Sequence, residues 1–244
     1  MLSLRNTIAA AGGLALMSLA AISHASPIAI DHTDVTGGTL PAGVTAETDP
    51  GTAQEKCAGQ GDDQICGVGI SGGRTPGEID VGQTLTFSFE DAVTIDELTI
   101  ALLYVGPAWG DPLVGVDGEE GLFGERARFT ATLADGRTLD VTFQVAADGV
   151  TGLFSGAGSY SFCSTNPANQ QSSGGCWNFS GLFGDAEITE LAFTADSVVK
   201  SGNDSDYVFV SMVARAVPAP GALLLLGGGL LGLALWRRRL QNIG

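Results

Sequence analysis

Between residues 84 and 216 hydrophobic and polar positions alternate with a period of two. In the stretch TLTFSF, Leu85, Phe87 and Phe89 share one face while Thr84, Thr86 and Ser88 share the other, which is the pattern of a half-buried strand. The following run changes phase. Val93 and Ile95 set one register and Leu98, Ile100 and Leu102 the opposite one, so a bulge or corner is predicted near Asp96 and Glu97. In ARFTATLADGRTLDVTFQV, Phe129, Ala131 and Leu133 face Leu139, Val141, Phe143 and Val145. A two-residue Asp135-Gly136 turn would break this odd-to-odd match, whereas a loop of Ala134, Asp135 and Gly136 opposes Phe129 to Val141 and Ala131 to Leu139, with Gly136 left-handed.

Two further strands follow. ITELAFTA places Leu191, Phe193 and Ala195 on one face. DYVFVSMVAR has Val208, Val210 and Met212 on one side and Tyr207, Phe209 and Val213 on the other, as a central strand would. An apolar-leaning segment, PIAIDHTDV, precedes a Gly-, Thr- and Pro-rich stretch to about residue 56 that shows little periodicity and is expected to be loop or edge strand. Strands at intervals of about ten residues, with turn signals between them and no helical period, predict an all-β domain, a two-sheet β-sandwich of jelly-roll type.

The two ends break this pattern. Arg5 precedes an uncharged apolar stretch from Ile8 to Ile22, and Ser23-His24-Ala25 closes it with small residues, so residues 1–25 are expected to be a secretory signal peptide cleaved between Ala25 and Ser26. An uncleaved anchor is the alternative. At the other end, 216–236 carries no charge, and Pro218 and Pro220 delay any helix to about 221. The 16 residues from 221 to 236 span roughly 24 Å at 1.5 Å per residue, a minimal transmembrane helix. Arg237, Arg238 and Arg239 would remain on the cytoplasmic side, placing the domain outside. The expected organisation is a signal peptide at 1–25, an extracytoplasmic domain at 26–216, a terminal signal at 217–240 and a short tail at 241–244.

Charge and cysteine content refine this picture. All 27 acids lie between residues 26 and 220 against seven basic residues, a net charge of −20 that repels phosphates and disfavours nucleic-acid partners. The four cysteines lie in the exported part, and the simplest pairing joins Cys57 to Cys66 and Cys163 to Cys176. A zinc site is the rival, but there is no C-x-x-C and His32 is the one histidine after the signal peptide.

Several motifs suggest chemistry. GISGG, residues 69–73, matches G-x-S-x-G, but no helix is expected after Ser71 and no histidine follows it. Gly227, Gly229 and Gly232 match G-x-G-x-x-G inside the apolar tail, where no phosphate could reach them. Asp62 with Asp63, Asp117 with Glu119 and Glu120, and the loop holding Asp204 and Asp206 offer hard oxygen ligands for Ca²⁺, and the last is the preferred candidate. Trp109 and Trp177 lie in stretches read as loops, where a sugar ring could stack on them, and the alternative for each is packing beneath its loop. No nucleophile has a recognisable base, and no carboxylate pair is singled out for glycoside hydrolysis. A non-enzymatic protein without a cofactor is therefore expected, with a calcium-dependent carbohydrate-binding module as the alternative and a secreted hydrolase behind both.

The ending VPAPGALLLLGGGLLGLALWRRRL resembles the PEP-CTERM class of sorting signals, specifically its VPLPA-CTERM variant. Val217, Pro218 and Pro220 match the motif, Ala222 to Trp236 the helix, and Arg237 to Arg239 the basic cluster. Ala219 and Gly221 depart from it, standing where the family has Leu and Ala. The resemblance implies export across the inner membrane of a Gram-negative bacterium and recognition by an exosortase, a membrane protease. It further implies delivery to the cell surface or to extracellular polysaccharide. A plain, uncut tail anchor would need the same helix and arginines; the prolines, which keep 217–220 extended, favour processing.

Overall fold

A computed structural model describes residues 26–59, 64–104, 123–164, 175–196 and 205–218. Their elements are β1 (Pro27–Asp31), α1 (His32–Gly37), β2 (Val44–Asp49), β3 (Ala53–Ala58), β4 (Ile65–Ile70), β5 (Ile79–Asp80), β6 (Thr84–Leu103), β7 (Phe123–Leu133), β8 (Thr138–Ala146), β9 (Gly152–Phe154), β10 (Ser159–Phe162), β11 (Gly175–Ser180), β12 (Ile188–Asp196) and β13 (Asp206–Ala216). The domain is all-β and its strands pair antiparallel, joined by one hydrogen-bonded path in the order β3-β4-β13-β6-β12-β7-β8-β9.

That path is continuous because β6 is one strand of 20 residues that serves two layers. Its first half lies between β2 and β12, and its second half between β11 and β13. The phase change predicted near Asp96 is where the layers part. Val213 pairs with Glu97 and Ala214 with Ile95, so Asp96 is the extra residue of a bulge. Leu85, Phe87, Phe89, Val93 and Ile95 are buried before it, and Leu98 and Ile100 after it, in the opposite phase.

The inner faces meet through aromatic side chains. Phe87 and Phe193 of one layer pack on Phe209 of the other at ring distances of 4.9 and 5.4 Å, and Phe129 and Phe143 pack on Phe179 at 5.7 and 5.1 Å. Such rings are the largest single contributors to an apolar core and fix the spacing of the layers. The β7–β8 hairpin has the predicted register, with Phe129 opposite Val141 and Ala131 opposite Leu139. Its loop is Ala134-Asp135-Gly136, and Gly136 has φ 83°.

One expectation is extended and two need correction. The segment before residue 56 holds β1 and β2, edge strands as expected since each pairs with a single neighbour, and also a short helix, α1, that carries no visible period because it is only six residues long; Asp31 caps it by accepting from the Thr33 and Asp34 amides. In β13, Val208, Val210 and Met212 do not share a face. The register shifts between Phe209 and Ser211, so Tyr207, Phe209, Met212 and Ala214 all reach the main core, while Val208 packs in a separate cluster with Ala101, Leu102 and Cys176. Finally, Trp177 lies in β11, not in a loop. Among the described residues no helix is long and apolar enough to cross a membrane, and 221–236 lies outside them.

Candidate functional site

The Asp206 end of β13 gathers four acidic residues from distant parts of the chain: Glu78, Asp80, Glu125 and Asp206. The loop between β4 and β5 supplies Glu78, and β5 supplies Asp80. Ile70 and Glu78 pair across it, with the Ile70 amide donating to the Glu78 carbonyl at 3.0 Å. Gly69 permits this approach, because a Cβ there would collide with the Glu78 backbone. At Gly73 a Cβ would collide with the Asp80 carboxylate. The GISGG stretch is thus a packing device. Ser71 bonds Thr52, its Oγ lying 2.9 Å from Thr52 Oγ1 and accepting from the Thr52 amide at 3.0 Å.

Strand pairing then joins the elements: Asp206 lies opposite Asp80, and Tyr207 opposite Ile79. Thr75 ties the two together, its amide donating to Asp80 at 3.0 Å and its hydroxyl to Asp206 at 2.7 Å. Gln83 holds the turn, accepting from the Asp80 amide at 3.0 Å and donating to the Ser71 carbonyl at 3.1 Å. Glu125, near the start of β7, accepts from the Tyr104 amide at 2.7 Å. Two residues before Tyr104, Leu102 has φ 66°, a left-handed conformation costing roughly 1 kcal/mol or more for a residue with a Cβ. It lies where β6 turns toward Glu125.

The electrostatics are unbalanced. Glu78 is 1 % exposed, Asp80 3 % and Asp206 9 %. Lys56 pairs with Glu78 Oε1, and Arg74 lies exposed in the same loop. Glu78 Oε2 is buried and has no hydrogen-bond partner. Asp206 is the charged neighbour that acts on both Glu78 and Glu125. Burial, and then the Asp206 carboxylate, push Glu78 up to about 9, against the opposing pull of Lys56. Burial and Asp206 also raise Glu125 well above the usual carboxylate range. At neutral pH Glu78 therefore holds its proton.

Next to it, Arg128 makes a two-pronged pair with Asp196, Nε and Nη2 each at 2.9 Å, and Arg126 Nε reaches the same carboxylate at 3.0 Å. Tyr207 donates its hydroxyl to the Thr194 carbonyl at 3.1 Å, and burial raises its pKa. The two arginines thus balance Asp196, while Glu78 and Glu125 have their carboxyls raised by burial and by Asp206.

Of the residues singled out in the sequence, Asp206 alone belongs to this cluster, while Asp204 lies outside the described residues. Trp177 is fully buried, its ring against Phe143 and Phe162 and its Nε1 donating to the Val150 carbonyl at 3.3 Å, so it presents no face to a sugar. Trp109 lies outside the described residues. Both predicted disulfides are present. Cys57 and Cys66 face each other across β3 and β4, and Cys163–Cys176 joins the end of β10 to β11. Glu55 stands beside Cys57 and Cys66, but those sulfurs are bonded to each other and hold no metal. Glu78 and Glu125 carried no signal in the sequence, because each is a lone acid in an otherwise ordinary stretch.

The other end of β13 leads to the tail. Pro27 pairs with Arg215, so exposed Ser26, which would become the new terminus, lies beside the point where the domain ends. The Val217 amide donates to the Ala92 carbonyl at 2.8 Å, and Pro218 is exposed beyond it. Ala25, Pro220 and Arg237, Arg238 and Arg239 lie outside the described residues.

The model of the PEP-CTERM protein-sorting motif matches residues 216–239, beginning at the last residue of β13. The chain therefore carries the sorting signal of exported proteins handled by exosortase-type machinery. No curated protein matches the chain.

Proposed function

We propose that this chain is a non-enzymatic domain exported to the cell surface or extracellular matrix of a Gram-negative bacterium and delivered there by its C-terminal signal. The observation that carries this reading is the match at 216–239, which starts where the last strand stops. Signal peptidase removes residues 1–25. The apolar helix at about 221–236 then holds the domain in the inner membrane with Arg237, Arg238 and Arg239 inside, and an exosortase-type protease reads Val217, Pro218 and Pro220 in the manner of the VPLPA variant. Among the described residues Val217 is the last one hydrogen-bonded to the domain, so cleavage past Pro218 leaves every described strand intact. Retention on extracellular polysaccharide follows release.

The experiment is mass spectrometry of the C-terminal peptide from surface material of cells producing the full chain. Loss of Leu240 to Gly244 from most molecules, reversed when the protease gene is deleted, supports the reading. An intact Gly244 on surface molecules overturns processing and leaves a tail anchor.

A further inference from the structure

We propose that Lys56 and Glu78 are a modification site at which the folded chain joins itself, by an amide bond between Lys56 Nζ and Glu78 Cδ formed with loss of water. The two side chains already meet, Nζ against Oε1, and the backbone on both sides fixes that meeting. Lys56 stands on β3 opposite Gly67 of β4, and the end of β4 is bridged to Glu78 through Ile70. Gly77, with φ 89°, leaves room for the Lys56 stem beside the residue that precedes Glu78, since a Cβ there would come within 3.2 Å of Lys56 Cβ. The Glu78 side chain is 2 % exposed, and its Oε2 is buried without a hydrogen-bond partner. Desolvation of an ion pair placed in this way offsets its attraction, and an amide removes both charges at once.

Free amines and acids do not condense in water, but groups held in reacting contact act at effective concentrations on the order of 10⁵ M or more. Burial of the carboxyl also excludes the water that would hydrolyse the product. A carboxylate resists an amine, whereas Glu78, raised to about 9 by burial and by Asp206, is a neutral acid at pH 7 with a hydroxyl to lose. The Lys56 ammonium first gives a proton to solvent, which reaches it because that side chain is 29 % exposed. The free amine attacks Cδ and the C–N bond forms. A proton then passes from the nitrogen to the acid's hydroxyl, the C–O bond breaks and water leaves. Ammonium and neutral acid thus become one amide, one water and one proton, with no oxidant, reductant or other reactant. Nothing in this step requires the tail to be cut, so it stands or falls separately from the proposed delivery.

The test is mass spectrometry of the full chain purified in detergent, digested with trypsin after its disulfides are reduced. An unlinked chain is cut after Lys56 and after Arg74, and releases residues 57–74 and 75–126 as separate peptides. A linked chain escapes the cut at Lys56, and residues 75–126 stay joined to the peptide that ends at Arg74, lighter by one water than the two apart. The expected result is this joined species in most wild-type molecules, its loss in Lys56→Arg and in Glu78→Ala, and a Tm higher in wild type than in Lys56→Arg. A wild-type chain that melts cooperatively yet releases 57–74 and 75–126 separately overturns the proposal and leaves an ion pair. A joined species that persists in Glu78→Ala overturns it as well, because the acceptor is then another carboxyl. Fragmentation of the joined peptides must place the bond on Lys56 and Glu78, and this decides the assignment even where Glu78→Ala fails to fold.

Discussion

The two ends of β13 are built on opposite principles. At Asp206 the strand enters a buried polar cluster assembled from three parts of the chain, and at Ala216, ten residues and on the order of 30 Å away, it hands over to an exposed proline and the sorting signal. Between them the strand is packed in apolar core through Tyr207, Phe209, Met212 and Ala214. The apolar packing lies in the middle, the buried acids at one end and the sorting motif at the other. In a domain arranged in this way the cluster and the start of the sorting motif lie at opposite ends of one strand.

The comparison is most severely tested in the middle. Phe129→Ala removes a ring that touches Phe179, Phe193 and Tyr207, and should cost about 3–5 kcal/mol in chemical denaturation. A loss under 1 kcal/mol would mean that the interlayer aromatics do not hold the fold. Replacing Cys163 and Cys176 together by Ala opens a bridge between residues 13 apart and should cost about 3 kcal/mol, read as a lower denaturation midpoint.

The Asp206 end should respond to pH instead. The folded state raises Glu78 from 4.5 to about 9, so it binds that proton more tightly than the unfolded chain does. This contribution is fully present below pH 4.5 and is lost as pH climbs toward 9, and Glu125 acts in the same direction. In a Lys56→Arg chain, where Glu78 stays a free acid, Tm should therefore fall steadily from pH 5 to pH 9. A Tm that stays flat or rises over that range would show that the cluster is already compensated. The smallest effect lies at the hairpin on the tail side, where Gly136→Ala places a Cβ at φ 83° and should cost about 1 kcal/mol without altering the pH profile.

Strands whose environment is set by local alternation were legible directly. Leu85, Phe87, Phe89, Leu191, Phe193 and the Gly136 loop are placed as their spacing requires, because each strand there has one buried face and its register is forced by it. The bulge at Asp96 was legible for the same reason, since the phase change is written in the apolar residues themselves. The bulge at Val210 was not. β13 is apolar on both sides, so a slipped register leaves no mark in the pattern. Trp177 was misplaced because its flanking Gly, Cys and Asn resemble a loop, while its burial comes from β6, β8 and β10.

By itself the sequence determined the alternation of the strands, the disulfide partners and the sorting signal, all of which depend on residues close together along the chain. Only the tertiary structure decided that β6 serves both layers and that Glu78, Glu125 and Asp206 meet, since those positions are separated by 47 and 81 residues. A lone acid looks the same in sequence whether it faces water or two other carboxylates. The difference lies in the desolvation and repulsion that arise only when the chain has folded around it.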